Sequence, residues 1–139
     1  MSDDCFTDSN VLLYTLDKDS NKQEVAIAIW RQGIALSTQV VMEFTNVCLK
    51  KKKLTKEKAF ENALNLMAGA QVKSVTEKTV RIAFTISKQY GFSHWDSLIA
   101  ASALEAGCKT LYSEDMQHGQ LIEGKLTIVN PFFILKIEF

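Results

Sequence analysis

Hydrophobic and polar positions follow two alternating patterns along the chain. Short apolar runs bounded by turn-forming residues are separated by longer segments in which apolar residues return every three or four positions. The short runs are typical of buried strands, and the longer period is typical of amphipathic helices. Because the two patterns alternate, we predict an α/β fold with a mainly parallel central sheet of about five strands crossed by helices.

Five apolar runs have the length expected of strands. We predict strands at Cys5–Thr7, residues 33–36, residues 72–75, Thr110–Tyr112 and Leu126–Val129. An apolar turn is expected soon after the first strand, at residues 11–14. The last apolar segment, residues 132–139, does not indicate one type of structure.

Five helices are predicted from apolar spacing and capping residues, at residues 22–31, 38–48, 55–68, 76–90 and 93–106. Four of them open at a hydroxyl residue that can cap the first turn, namely Ser37 or Thr38, Thr55, Thr76 and Ser93. Glycines end three of them, at Gly69, Gly91 and Gly107. In two of these helices, four residues lie on one face of the helix. They are Phe60, Ala63, Leu64 and Met67 in the helix at 55–68, and Val80, Ala83, Phe84 and Ser87 in the helix at 76–90.

The length and composition predict one domain covering residues 1–139. The chain is 47% hydrophobic and contains a single proline, with no low-complexity linker and no repeat of fixed period. The first residues are acidic and polar, and no apolar run approaches the roughly 20 residues of a membrane span. We therefore expect a soluble, cytoplasmic protein that does not bind a membrane.

The cysteines and the balance of charges further limit the class of protein that the sequence can encode. The three cysteines, Cys5, Cys48 and Cys108, are widely spaced within apolar segments, so we predict buried reduced thiols. Sixteen basic and sixteen acidic residues cancel, so no global positive field attracts nucleic acid. The one basic run, Lys50 to Lys53, closes a predicted helix and is interpreted as a solvated terminus, with a phosphate contact as the alternative.

Acidic residues follow the predicted strands repeatedly. Asp8 comes directly after the first strand and Glu43 lies early in the helix after the second. Asp96 lies in the first turn of its helix, and Glu114 and Asp115 follow the fourth strand. Because ligands bind beyond the carboxyl ends of parallel strands, we expect these carboxylates to converge there.

A cluster of carboxylates is a candidate metal site, because crowded negative charges repel one another unless a cation lies among them. Hard oxygen ligands suit Mg²⁺ or Mn²⁺. Such a metal lowers the pKa of a bound water and neutralises the oxygens of a phosphodiester. The predicted chemistry is therefore phosphodiester hydrolysis.

Each acid also has a purely structural explanation. Ser93 and Asp96 have the spacing of a capping box, and Asp8 could close an Asx turn. Glu43 could be an exposed helix residue, and residues 114–115 have an ordinary turn composition. The shared position of the four acids in the topology favours the metal site.

Four segments resemble the acidic motifs of the PIN-domain family and occur in the family's order. They are residues 6–12 (FTDSNVL), 37–44 (STQVVMEF), 92–103 (FSHWDSLIAASA) and 111–115 (LYSED). The strongest match is the Asp96 helix, with its small residues after the acid. The resemblance covers essentially the whole chain and is closest to the VapC-type toxins of bacterial and archaeal toxin–antitoxin pairs.

The resemblance implies a PIN-like three-layer sandwich and a metal-dependent endoribonuclease. Its catalytic residues and Mg²⁺ or Mn²⁺ ligands would be Asp8, Glu43, Asp96 and Asp115, with Ser113, Asn10 and Glu114 as accessories. It further implies an RNA substrate, a small protein antitoxin and a homodimer. The apolar stretch at residues 132–135 is longer than a monomer of this size clearly needs, and it also favours a dimer. The family's usual aromatic after the last acid is replaced here by residues 116–119.

Other polar and aromatic residues are weaker candidates for a functional role. His94 and His118 are more consistent with capping or turn positions than with a general base, and Trp30 and Trp95 with core or pocket-wall positions. Arg31, Arg81, Lys88 and residues 50–53 are candidates for contact with the nucleic-acid backbone. Two rival functions are an α/β domain that uses Asp8 as phosphoacceptor and a non-catalytic or non-toxin interaction module with the PIN fold.

Overall fold

Six strands form one sheet in the computed structural model, which describes residues 4–133. They are β1 (Cys5–Thr7), β2 (Ala35–Ser37), β3 (Gln71–Lys73), β4 (Thr110–Tyr112), β5 (Leu121–Ile122) and β6 (Leu126–Val129). The strand order is β3-β2-β1-β4-β6-β5. Each neighbouring pair is parallel except β5 and β6, which are antiparallel, so the predicted mainly parallel sheet is confirmed.

The helices connect these strands. They are α1 (Ser9–Leu12), α2 (Gln23–Arg31), α3 (Thr38–Lys50), α4 (Lys56–Ala68), α5 (Glu77–Tyr90) and α6 (His94–Glu105), with a 3₁₀ turn at Leu13–Leu16. The chain moves from β1 through β2 to the β3 edge, and then returns past β1 to β4. Because such crossovers are right-handed, α1 to α4 cover one face of the sheet and α5 and α6 cover the other.

Hydroxyl residues set the beginnings of four helices, as predicted. The Ser37 Oγ accepts a hydrogen bond from the Val40 N–H at 3.3 Å, which decides between Ser37 and Thr38 as the cap of α3. Thr55, Thr76 and Ser93 cap α4, α5 and α6 in the same way. Gly91 ends α5 with a φ of +77°, a backbone conformation that favours glycine.

The core lies on both faces of the sheet, and α6 packs against two of its strands. Four strand side chains, Phe6, Leu36, Leu111 and Ile128, are fully buried. The small side chains of α6, Ala100, Ala101 and Ala103, are also fully buried, and the helix packs against β2 and β4. Small residues permit this close packing, which fixes the position of the α6 N-terminus relative to the sheet.

Several expected boundaries and faces differ in the structure. The β5 strand was not predicted, because two residues are too few to form a recognisable apolar run. The expected turn at residues 11–14 is instead α1 followed by the 3₁₀ turn, and β2 and β3 are shifted by one or two residues from the expected ranges.

The apolar faces assigned to α4 and α5 are only partly buried. Phe60, Leu64 and Phe84 are 47%, 60% and 58% exposed. Ala63 and Ala83 are buried, and their buried neighbours are Ala59 and Leu66 in α4 and Thr79 and Ile86 in α5. Hydrophobicity alone does not determine which face of a helix meets the sheet.

The structure also bears on the cysteines, on membrane-spanning helices and on the C-terminal apolar stretch. Cys5, Cys48 and Cys108 are buried, as predicted, and none of them forms a disulfide within residues 4–133. Within residues 4–133, no helix is long and apolar enough to cross a membrane. Of the apolar stretch predicted to contribute to a dimer, Phe132 is fully buried in the core and Phe133 is 42% exposed. Residues 134–139 lie outside the described residues.

Candidate active site

Four acids from separate parts of the sequence line one surface depression of about 400 Å³. They are Asp8, Glu43, Asp96 and Asp115. The depression lies beyond the carboxyl ends of β1 and β4. These two strands are neighbours in the sheet, and the chain changes direction between them. Open α/β sheets form their ligand crevices at such a point, so the topology itself brings the acids together.

Asp8 is the most buried of the four, with 6% of its surface exposed. It directly follows β1 and caps α1, where Oδ1 accepts the Ser9 N–H at 2.7 Å. Its Oδ2 accepts the Ser113 hydroxyl at 3.0 Å. Both carboxylate oxygens are therefore held in place before any ligand binds.

Asn10 connects Asp8 to the loop after β4. Its Nδ2 lies 3.5 Å from Asp8 Oδ2, 3.4 Å from Ser113 Oγ and 3.2 Å from Asp115 Oδ2. Its Oδ1 accepts the Glu114 N–H at 3.1 Å. One amide side chain thus orients groups on both sides of the β1–β4 boundary.

Gln39 performs a similar role between α3 and α6. Its Nε2 donates to Glu43 Oε2 at 3.1 Å and to the Trp95 carbonyl at 3.2 Å. The Ser9 hydroxyl also hydrogen bonds to Glu43. At the start of α6, the Ser93 Oγ accepts the Asp96 N–H at 3.1 Å, so the Ser93 hydroxyl supplies the helix cap.

Three of the four carboxyl groups have raised pKa values. Burial, together with the charge of Glu43, raises the pKa of Asp8 from 3.8 to about 7. Burial and the charge of Asp96 raise the pKa of Glu43. Burial and the charge of Asp115 raise the pKa of Asp96. Each of these shifts shows that the ionised form lacks a compensating positive charge.

The donor set fits a hard divalent cation. Carboxylate oxygens are the ligands that Mg²⁺ and Mn²⁺ prefer, and a cation would relieve the repulsion that raises the three pKa values. Among residues 4–133, no three His, Cys, Asp or Glu side chains are arranged to hold one ion together. Mg²⁺ commonly binds one or two carboxylates directly and completes its shell with water and substrate phosphate.

Glu114 is directed into a separate cluster. Its carboxylate accepts the Tyr14 hydroxyl at 2.7 Å and forms an ion pair with Lys22. The Lys22 Nζ lies 5.0 Å from the centroid of the Tyr14 ring and 5.2 Å from that of Phe132. We call this group the Lys22 cluster; it consists of Tyr14, Lys22, Glu114 and Phe132. The cluster holds the Glu114 side chain, while Asn10 holds its backbone N–H. Glu114 does not line the depression, although it was expected to be an accessory.

Sequence reasoning did not select several residues that shape the site. Gln39, Tyr14 and Lys22 act through contacts between distant segments. Asn46 and Val47 line the depression on α3. A signal was available for these two, because they lie three and four residues after Glu43 and so share its helix face. Lys51, at the C-terminal cap of α3, also lines the depression and belongs to the basic run that was predicted as a candidate for contact with the nucleic-acid backbone.

The remaining candidates lie outside the lining of the depression. The His94 ring is 4.8 Å from the exposed Trp95 ring, and His118 stacks on Phe133 while its Nδ1 accepts the Asn130 N–H. Trp30 lines a different cavity of about 170 Å³. Among the basic candidates, Arg81 pairs with Glu77 at the surface, and Arg31 and Lys88 are exposed.

A family model described as "PIN domain" matches residues 5–121. The chain belongs to the PIN-domain family. The PIN core therefore covers every strand from β1 into β5 and all four acids of the depression. No curated protein matches the sequence significantly.

Solved structures share this PIN fold. The Mycobacterium tuberculosis toxin VapC20, described as cleaving the sarcin-ricin loop, is 15% identical over 80% of this chain and 89% of that chain, with a TM-score of 0.64. A toxin–antitoxin complex from Klebsiella pneumoniae gives 20% identity over 91% and 97%, with a TM-score of 0.67. DNA-bound VapBC from Salmonella typhimurium gives 14% identity over 89% and 95%, also with a TM-score of 0.67. At these identities the likeness is one of fold.

Proposed function

We propose that this PIN-domain protein is a metal-dependent endoribonuclease of the VapC type, with residues 1–139 acting as one nuclease domain. The observation that carries the proposal is the convergence of Asp8, Glu43, Asp96 and Asp115 on one depression at the β1–β4 boundary. The raised pKa values of three of these acids support it, because such a cluster is stabilised by a cation.

The protein side chains would hold Mg²⁺ or Mn²⁺ and orient the RNA. Asp8 and Asp115, linked through Asn10, would contact the ion or its bound waters from the sheet side, while Glu43 and Asp96 would do so from α3 and α6. When bound, the metal supplies an activated water and neutralises charge on the phosphate being cut. Ser113 and Asn10 keep the Asp8 and Asp115 carboxylates in position, a supporting role that commonly affects metal affinity or activity by about 10- to 100-fold.

The rival role of Asp8 as a phosphoacceptor is less consistent with its environment. A phosphoacceptor carboxylate must admit a whole phosphoryl group in line with the attacking oxygen. Only 6% of Asp8 is exposed, and both its oxygens already accept hydrogen bonds. A cation needs less space, because one remaining lone pair of a carboxylate oxygen is enough to bind it.

A protein antitoxin is proposed as the partner of this chain. The structural neighbours include toxin–antitoxin complexes from Klebsiella pneumoniae and Rickettsia felis. A small antitoxin that covers the depression would explain how a cell tolerates an open nuclease site. Recovery of a small co-purifying protein from the native host would support this partner, and its repeated absence from tagged preparations would contradict it.

A homodimer is proposed from exposed apolar side chains on α4. Phe60 and Leu64 lie one helical turn apart, and their exposed fractions are 47% and 60%. Adjacent exposed apolar side chains that form a patch mark contact surfaces. Light scattering should therefore give twice the monomer mass. Leu64→Lys should shift the protein toward monomer, whereas Asn65→Lys, at a neighbouring exposed position, should change the mass less.

The nuclease proposal is tested with purified protein and short single-stranded RNAs. Cleavage at internal phosphodiesters should require added Mg²⁺ or Mn²⁺ and should stop in chelator. Asp8→Asn and Asp96→Asn should both abolish it, because each removes a charged ligand from the cluster. Equal cleavage by the wild type and both variants would indicate a contaminating nuclease and would reject the proposal.

A further inference from the structure

The α3 helix and its C-terminal cap form a continuous wall of the acidic depression. Glu43, Asn46, Val47 and Lys51 all line it, at spacings that place them on one helix face. Glu43 and Lys51 are separated by eight residues, which corresponds to about 12 Å along the helix axis. The wall is therefore acidic at one end and basic at the other.

Lys51 differs from the lysines beside it. The basic run contains Lys50, Lys51, Lys52 and Lys53, but only Lys51 of these lines the acidic depression. Lys52 lines a separate depression together with Lys18 and Lys58. The lining of the depression thus distinguishes Lys51 from three lysines that are equivalent to it in the sequence.

The Lys51 ammonium group is available to a ligand. It is exposed, and among residues 4–133 it forms no ion pair within 4.0 Å, although four carboxylates line the same depression. Asn46, between Glu43 and Lys51, is also exposed and adds a neutral amide donor to the wall. Such a pair of donors, one charged and one neutral, suits an anionic oxygen.

We propose that Lys51 and Asn46 form a phosphate subsite that binds the RNA backbone beside the phosphodiester being cut. The RNA strand would run along α3, with the cleaved phosphate at the carboxylates and a neighbouring phosphate at Lys51. This inference rests on the proposed nuclease function. Because the protein carries no net charge, a single lysine placed in the substrate path makes a measurable share of the attraction for RNA.

Lys50 is the control that distinguishes a purely structural role of Lys51 from phosphate binding. Lysines in the last turn of a helix interact favourably with its dipole, and Lys50 and Lys51 share that benefit at the end of α3. Lys50→Met therefore reports the loss of a lysine at this terminus. Any additional effect of Lys51→Met reports the subsite.

The experiment measures binding of a labelled single-stranded RNA to Asp8→Asn protein, in millimolar Mg²⁺ and over a range of KCl concentrations. Adding Lys51→Met should lower the slope of log affinity against log salt by about 0.7, the value for one phosphate contact in a single strand. The same slope change implies about fivefold weaker binding at about 0.1 M salt. Lys50→Met should change affinity less than about twofold, and Asn46→Ala should weaken binding without changing the slope.

Cleavage kinetics with otherwise wild-type protein provide the second readout. Lys51→Met should raise KM several-fold and leave kcat within about twofold, since a contact to a neighbouring phosphate is the same in the ground and transition states. Equal effects of Lys51→Met and Lys50→Met on affinity and salt slope would overturn the subsite. A fall in kcat at unchanged KM would also overturn it. Failure of the nuclease function differs from both results, because the wild type would then cleave no RNA in Mg²⁺ or Mn²⁺.

Discussion

Asn10 donates a hydrogen bond from Nδ2 to Asp115 Oδ2 across 3.2 Å, although the two residues are 105 positions apart in the sequence. The same nitrogen lies within 3.5 Å of Asp8 and Ser113. Asn10 therefore determines the relative position of two carboxylates that come from different strands. A site built in this way depends on an uncharged residue as much as on its acids.

Asn10→Ala should lower both metal affinity and RNA cleavage by about 10- to 100-fold, the usual cost of removing a group that orients metal ligands. Asn21→Ala, in an exposed turn, is the matched control and should be close to wild type. Calorimetric titration with Mn²⁺ measures affinity independently of activity. Wild-type Mn²⁺ affinity in Asn10→Ala would show that the hydrogen bonds of Asn10 do not position the acids.

The stability of the metal-free protein should fall as pH rises from about 4 to about 7. The pKa of Asp8 is about 7 in the folded protein and 3.8 in the ordinary carboxyl group. Between these values the folded state holds a proton that the unfolded chain has lost, so raising the pH favours unfolding. The raised pKa values of Glu43 and Asp96 act in the same direction.

In Asp8→Asn the free energy of unfolding should change less with pH than in the wild type, by an amount on the order of a few kcal/mol. Thermal melts in chelator at about pH 5 and about pH 8 measure it, because the wild type should lose more stability than the variant. Parallel changes in the two melting temperatures would contradict the shifted pKa of Asp8.

Asp96→Asn should leave the metal-free protein equally stable or more stable. The Ser93 hydroxyl caps α6, so the substitution keeps the cap and removes one charge from a repulsive cluster. The variant should also gain less stability from millimolar Mn²⁺, since stabilisation by a ligand follows its affinity. Ser93→Ala is the comparison, and it should lower stability by about 1 kcal/mol with or without metal. An Asp96→Asn melt several degrees below wild type in chelator, with an undiminished Mn²⁺ shift, would defeat the metal role of Asp96.

Lys22→Met should destabilise the protein by an amount on the order of 1 to 3 kcal/mol, since it removes a partly buried ion pair with Glu114. Replacing both residues, Lys22→Met with Glu114→Met, should recover part of the loss. Arg81→Met removes an exposed ion pair with Glu77 and should cost less than about 1 kcal/mol. Additive losses in the double variant would show that the two side chains are not coupled.

Much of the fold could be predicted because its signals are local. The β1, β4 and β6 strands have their predicted bounds, and hydroxyl caps locate the starts of four helices. The β5 strand could not be predicted, because a two-residue strand exists only through its pairing with β6. The exposed Phe60 shows a second limit, since the face that a helix buries depends on how it sits on the sheet.

The positions of the acids were predictable for a topological reason, whereas the directions of side chains were not. Residues at the carboxyl ends of neighbouring parallel strands must converge, and Asp8 and Asp115 do. Glu114 turns away because of Lys22, which lies 92 positions earlier in the sequence. Lys51 could not be chosen from four consecutive lysines without knowing where α3 places each of them.

RNA cleavage by wild type and Asp8→Asn, beside Asp19→Asn as an exposed acidic control, tests the central claim most directly. Each protein is incubated with short single-stranded RNA in chelator and in millimolar Mn²⁺. We predict internal cleavage by wild type only with metal, a loss of at least about a hundredfold in Asp8→Asn, and activity within about twofold of wild type in Asp19→Asn. Cleavage that persists in chelator or in Asp8→Asn, or folded wild-type protein that cuts no RNA in Mn²⁺ or Mg²⁺, would contradict the account.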